Sequence, residues 1–158
     1  MSKGFIIEQK RNTANWAQSL KQMPEALWFK PFKAGSWGTG EVIAHFIFWD
    51  QFVIDNRLKP FLQNGELPEV EVDVQKINDA AAEYARSRDK DLLIDEFIST
   101  REDLTGYIRR MPDTTFVQLM PGKPLSWNKF FEGLIEHDRK HQLEIDAHFT
   151  ALLKDENK

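Results

Sequence analysis

Leu134-Ile135-Glu136-His137-Asp138-Arg139-Lys140-His141-Gln142-Leu143 is the stretch from which the fold is read. Two of the chain's four histidines stand here four residues apart. In a helix that spacing stacks them one turn above the other on a single face. Imidazoles placed this way can both reach one metal ion, leaving coordination positions for a third ligand and for solvent. The helix that carries them extends from Trp127 to about Leu153, with Ser126 as its N-cap. Trp127, Phe130, Leu134, Ile145 and Leu152 define its inward stripe. At ~100° per residue, His137, His141 and His148 fall within ~60° of that stripe and Asp138 within ~40°.

Working outward, three more long segments show helical periodicity. A first helix spans about Lys3 to Met23, with Phe5, Ile6, Trp16, Leu20 and Met23 on its apolar side. Gln9, Asn12 and Thr13 interrupt that side, either as a partly polar face near a bundle end or as the lining of a cavity. Pro24, Pro31 and Gly35 then break the chain. A second helix, capped by Ser36 or Thr39, runs to about Leu58, where Pro60 signals its end. Val42, Phe46, Trp49 and Val53 centre its apolar face, and Asp50 and Asp55 fall at the solvated edge. A third helix runs from Lys90 to Met111 with Asp89 as its N-cap. Its Leu93, Phe97, Thr100, Leu104, Tyr107 and Met111 alternate steps of four and three, the spacing of a bundle seam. Between the second and third helices lies a long connection containing a short Ala-rich helix, Val74 to Arg88. A connection of that length permits a crossover, so these two helices need not be antiparallel. The expected fold is an all-α four-helix bundle in a single domain, residues 1–158.

A third nitrogen ligand is available on the second helix. His45 lies on the inward flank of its face, ~60° from Val42. With His137 and His141 it makes three inward imidazoles on two helices, a set that one cation can serve. His148 shares the face but sits about 10 Å below His141, too far for ~2 Å metal–nitrogen bonds to the same ion, and reads as a structural or pocket histidine. Asp138 and Glu41 are placed to accept an imidazole N–H and orient the ligands. Glu144, three residues after His141, could be a fourth ligand or a base. For each carboxylate the alternative is a plain ion pair, with Arg139 or Lys140 for example. Asp138 and Glu144 are therefore the candidate catalytic groups.

Composition narrows the chemistry. A net charge of −4 argues against a nucleic-acid partner, which needs a basic surface. No apolar run is long enough to span a membrane, and the N-terminus lacks the apolar core of a signal peptide, so a cytoplasmic protein is expected. Cysteine is absent, which leaves a metal site only nitrogen and oxygen donors and removes any thiolate nucleophile from the chain itself. No Gly-x-Ser-x-Gly supports serine chemistry. Gly122-Lys123 lacks the upstream glycine and the following Ser/Thr of a phosphate loop.

Ser36-Trp37-x-x-x-Glu41-Val42-Ile43-Ala44-His45-x-x-x-Trp49 resembles the second-helix motif of the DinB/YfiT-like family of metalloenzymes. Leu134 to Leu143 is similar to that family's fourth-helix motif. The resemblance covers nearly the whole chain. It implies a four-helix bundle with a long crossover between helices two and three. It also implies a divalent metal, zinc or nickel, on positions matching His45, His137 and His141. Relatives include mycothiol-dependent isomerases and bacillithiol S-transferases alongside many members of unassigned activity, and members are often homodimers. The expectation is a metal-dependent enzyme acting on a small molecule by hydrolysis or by transfer of a low-molecular-weight thiol. The competing expectation is a non-catalytic bundle whose metal only clamps two helices, acting through dimerisation or a protein partner.

Overall fold

The regular structure is all helical in the computed structural model, which describes residues 1–156, and no strand forms among the described residues. Helix α1 (Lys3–Ser19) begins where the Ser2 hydroxyl accepts the Phe5 N–H, and tightens into a 3₁₀ turn at Leu20–Gln22. Short α2 (Glu25–Trp28) follows Pro24. The second long helix, α3 (Thr39–Val53), passes through a π-helical turn (Ile54–Leu58) into α4 (Lys59–Asn64). The connection carries α5 (Val74–Arg86), capped by Asp73. Then come α6 (Lys90–Arg110), capped by Asp89, and α7 (Trp127–Glu156), where Ser126 Oγ accepts the Lys129 N–H.

Directions follow from which ends meet. Lys3 Nζ donates to the Met111 carbonyl and Lys90 Nζ to the Lys21 carbonyl, so α1 and α6 are antiparallel. Lys10 meets Asp138 and Trp16 meets Asp146, so α1 and α7 are parallel. Phe46 against Phe97 and Asp50 against Arg101 make α3 and α6 parallel. His45 beside His141, with Phe61 on Trp127, makes α3 and α7 antiparallel. Around the bundle the neighbours run α1, α6, α3, α7 and back to α1. Two consecutive long helices in parallel require the crossover, and α5 supplies it by packing along α3. The α3–α7 seam is the sparsest of the four, and the histidines sit in it.

Two apolar clusters fill the bundle. One, at the α2 end, includes Ala17, Leu20, Trp28, Ile43, Phe46, Phe97 and Ile145; the other includes Ile6, Val53, Ile54, Leu104, Ile108, Trp127 and Phe131. Between them lies a charged layer with one residue from each long helix: Lys10, Asp50, Arg101 and Asp138, all buried. Arg101 uses all five of its N–H groups. Nε and Nη2 donate to Asp50 at 2.6 and 3.2 Å, and Nη1 and Nη2 donate to Asp138 at 2.8 and 3.3 Å. The remaining Nη1 hydrogen goes to the Lys10 carbonyl at 3.1 Å, while Lys10 Nζ donates to Asp138 at 2.8 Å. Two positive and two negative side chains leave the layer neutral.

Several local expectations need correction. Asp50 is 5% exposed, because the Arg101 fork reaches it across the bundle; it does not lie at a solvated edge. Phe5 is 45% exposed, and Phe131, fully buried, takes the inward place expected of its half-buried neighbour Phe130. Neither Ser36 nor Thr39 caps the second helix. The cap is Gly38, whose N–H donates to the Glu41 carboxylate at 3.3 Å. Nor does Pro60 end that helix. Proline lacks an N–H for the carbonyl four residues back, that of Asn56, and the Arg57 guanidinium serves that carbonyl instead at 2.9 Å. The wider π turn accommodates the ring, and the helix stops only at Gly65, with φ +72°.

Candidate metal centre

The antiparallel pairing of α3 and α7 brings His45 level with His137 and His141. His45 Nε2 is 3.3 Å from His137 Nε2, and His141 Nε2 is 3.2 Å from the same atom. The nitrogens of all three lie within 4.8 Å of one another. Tetrahedral coordination with metal–nitrogen bonds of ~2.0–2.1 Å puts neighbouring ligand nitrogens roughly 3.3 Å apart. The two short separations have that edge length, so the donor set fits a divalent ion.

The surroundings keep the imidazoles neutral. Burial, then repulsion from His137 and His141, lowers the His45 pKa to about 4. Burial and the neighbouring His141 lower that of His137 to about 4 as well, and burial also lowers that of His141. Neutral rings present lone pairs, the form a cation needs. Aromatic side chains flank the cluster. Trp37 lies 5.3 Å from the His45 ring and Phe46 5.7 Å from that of His141, centroid to centroid.

The cluster opens on one side to a cavity of about 770 Å³, lined by Phe32, Lys33, Trp37, His141, Glu144 and His148 among others. His148 is indeed a pocket residue: a ring nitrogen is 3.2 Å from the Lys30 carbonyl and the ring stands edge-on to Phe32. Gln9, Asn12 and Thr13 of α1 line a different groove, of about 420 Å³, between α1 and α7.

Among the carboxylates, Asp138 departs from expectation. Its oxygens accept from Lys10 and Arg101 rather than from an imidazole N–H. Burial alone would raise its pKa, but Arg101 and Lys10 outweigh that and hold it at about 2. Glu41 closes the α3 cap and pairs with Arg86 of α5 at 3.1 Å. Glu144 stays exposed on the cavity wall, 3.9 Å from His141 Nδ1 and beyond hydrogen-bond reach, while that nitrogen is buried without a partner.

One neighbour of the site was missed in the sequence. Asn78 of α5 places its Oδ1 3.0 Å from His45 Nδ1 and 2.8 Å from Trp49 Nε1. Nothing in a short surface helix marks an asparagine as special; only α5 docking on α3 does.

Fold and site together define a class: a helical bundle with a crossover, in which two helices face three imidazoles toward one another beside an open cavity. The chain belongs to the DinB superfamily, whose sequence model matches residues 8–145. Among solved structures it is similar to YfiT from Bacillus subtilis, described as a probable metal-dependent hydrolase with an unusual four-helix bundle topology. That likeness has a TM-score of 0.71 at 13% identity and covers 95% of this chain and 87% of the other. No curated protein matches the sequence. Among the described residues, no helix is long and apolar enough to cross a membrane.

Proposed function

We propose that the protein is a metal-dependent enzyme acting on a small molecule, by hydrolysis or by transfer of a low-molecular-weight thiol, with His45, His137 and His141 holding the ion. The observation that carries this reading is the convergence of three Nε2 atoms beside an open cavity. A divalent cation, zinc or nickel, supplies Lewis acidity when bound, able to polarise a carbonyl or acidify water or a thiol. The chain's own residues do the remaining tasks. Phe46 packs against the His141 ring from the buried side, and Trp37 flanks the His45 ring where it lines the cavity. Glu144, an exposed carboxylate on the cavity wall, is the group placed to take up or return a proton. Asp138 acts at one remove, holding α7 to α1 and α6. Since the chain has no cysteine, any thiol arrives as a cosubstrate. The description of the YfiT neighbour as a probable metal-dependent hydrolase supports the metal-dependent class and, of the two reactions, favours hydrolysis.

The seam position supports a rival reading, in which the ion merely clamps α3 to α7, the least packed neighbours. One variant separates the two. Protein purified without a nickel column is analysed for metal, and His141→Ala is compared with wild type on panels of esters, amides and thiol-accepting electrophiles. Turnover abolished with little change in melting temperature is the expected result. A large fall in melting temperature, with no turnover by wild type on any panel, would favour the clamp.

A further inference from the structure

We infer that Asn78, on the crossover helix, fixes His45 as its Nδ1–H tautomer and thereby turns the Nε2 lone pair toward His137 and His141. This makes Asn78 a positioning residue for the cation site, an inference that rests on the metal reading above.

The chain of donors and acceptors starts at Trp49. An indole Nε1–H can only donate, so the Asn78 side-chain atom 2.8 Å from it must be the amide oxygen. That same oxygen is 3.0 Å from His45 Nδ1. An amide oxygen only accepts, so Nδ1 carries the hydrogen. A neutral imidazole has one N–H, which leaves Nε2 as the bare nitrogen, and it is Nε2 that lies 3.3 Å from His137 Nε2. Trp49 thus selects which end of the amide faces the histidine, and the amide selects which nitrogen faces the cluster.

The fold holds Asn78 at this post. Asp73 caps the start of α5, and Arg86 near its end pairs with Glu41 at the start of α3. The crossover therefore does more than connect parallel helices, because it delivers the group that sets the ligand's tautomer. The acceptor is a neutral amide, which orients the ring without adding the charge of a carboxylate beside it.

Two-bond proton–nitrogen correlation spectra of the metal-free protein, labelled at histidine, read the tautomer directly. The expected result near neutral pH is His45 protonated at Nδ1 and bare at Nε2. Asn78→Leu should abolish that preference and weaken zinc binding, measured by competition with a chromophoric chelator, by about 10–100-fold. Asn78→Asp, which keeps an acceptor oxygen at the same place, should restore both. His45 protonated at Nε2 in the wild-type protein would overturn the inference, as would an Asn78→Leu protein with wild-type tautomer and zinc affinity. If Asn78→Leu does not fold, the wild-type spectrum and Asn78→Asp decide the matter. A wild-type protein with Nδ1–H at His45 and no uptake of zinc would uphold the tautomer and reject the metal reading.

Discussion

His45, His137 and His141 share one electrostatic problem: each is at least partly withdrawn from water, and a charge on one would repel a charge on another. In the metal-free protein the folded state therefore resists protonation that the unfolded chain accepts. The folded pKa values of His45 and His137 near 4 lie below the unfolded value of about 6.5. Well above pH 6.5 neither state is protonated and no stability depends on these groups. As the pH falls from there toward 4, the unfolded state binds protons first and stability drops, by at most ~1.4 kcal/mol per pH unit per histidine. Urea unfolding of metal-free protein across this range should show that decline, and His45→Ala should show a shallower one; a flat wild-type profile would contradict it. Asp138 adds a separate loss at lower pH, between its ordinary 3.8 and about 2. At this scale the three histidines were legible because a helix's angular count predicts which way a side chain faces. Asp50 was not, since an aspartate on a helix flank reads as solvated until its partner, Arg101, is brought across from a helix 51 positions later. Asn78 was invisible for the same reason.

At the scale of elements, the approach to α3 depends on close contact between α2 and the glycines at its start. A Cβ at Gly40 would lie 2.5 Å from Trp28 Nε1 and 2.7 Å from a ring carbon of Phe29. Trp28 is fully buried and has no room to move aside. Gly40→Ala should therefore destabilise the protein by roughly 1–3 kcal/mol by overpacking, despite the better helix propensity of alanine. Thermal unfolding checks this, and an unchanged or raised melting temperature would show that α2 is free to yield. Helix starts at Lys90 and Trp127 could be read from Asp89 and Ser126, because a short polar side chain before an apolar run has one main structural use. The π turn could not. Pro60 is a stop signal unless something satisfies the Asn56 carbonyl, and here Arg57 does.

Across the whole molecule, the charged layer joins all four long helices at one guanidinium. Removing Arg101 would leave Asp50 and Asp138 buried without their shared partner. Arg101→Met should cost about 3–5 kcal/mol. At about 2–4 °C per kcal/mol for a chain of this size, the melting temperature should fall by roughly 6–20 °C. Arg101→Lys should recover little of this, because an ammonium offers three donors where five are used. A loss below about 1 kcal/mol for Arg101→Met would mean that the layer contributes no cohesion. The bundle itself was readable from four amphipathic segments; the length of one connection only permitted a crossover, which the family resemblance implied. The layer that divides its core was not, because four isolated charges 37 to 128 residues apart carry no common pattern. The account as a whole stands on three imidazoles sharing one ion. Zinc titration of metal-free protein, with His45→Ala, His137→Ala and His141→Ala alongside, tests that most directly. One tightly held ion per wild-type chain, and none in any of the three variants, is the predicted result; a wild-type chain that binds no ion, or variants that still bind one, would contradict it.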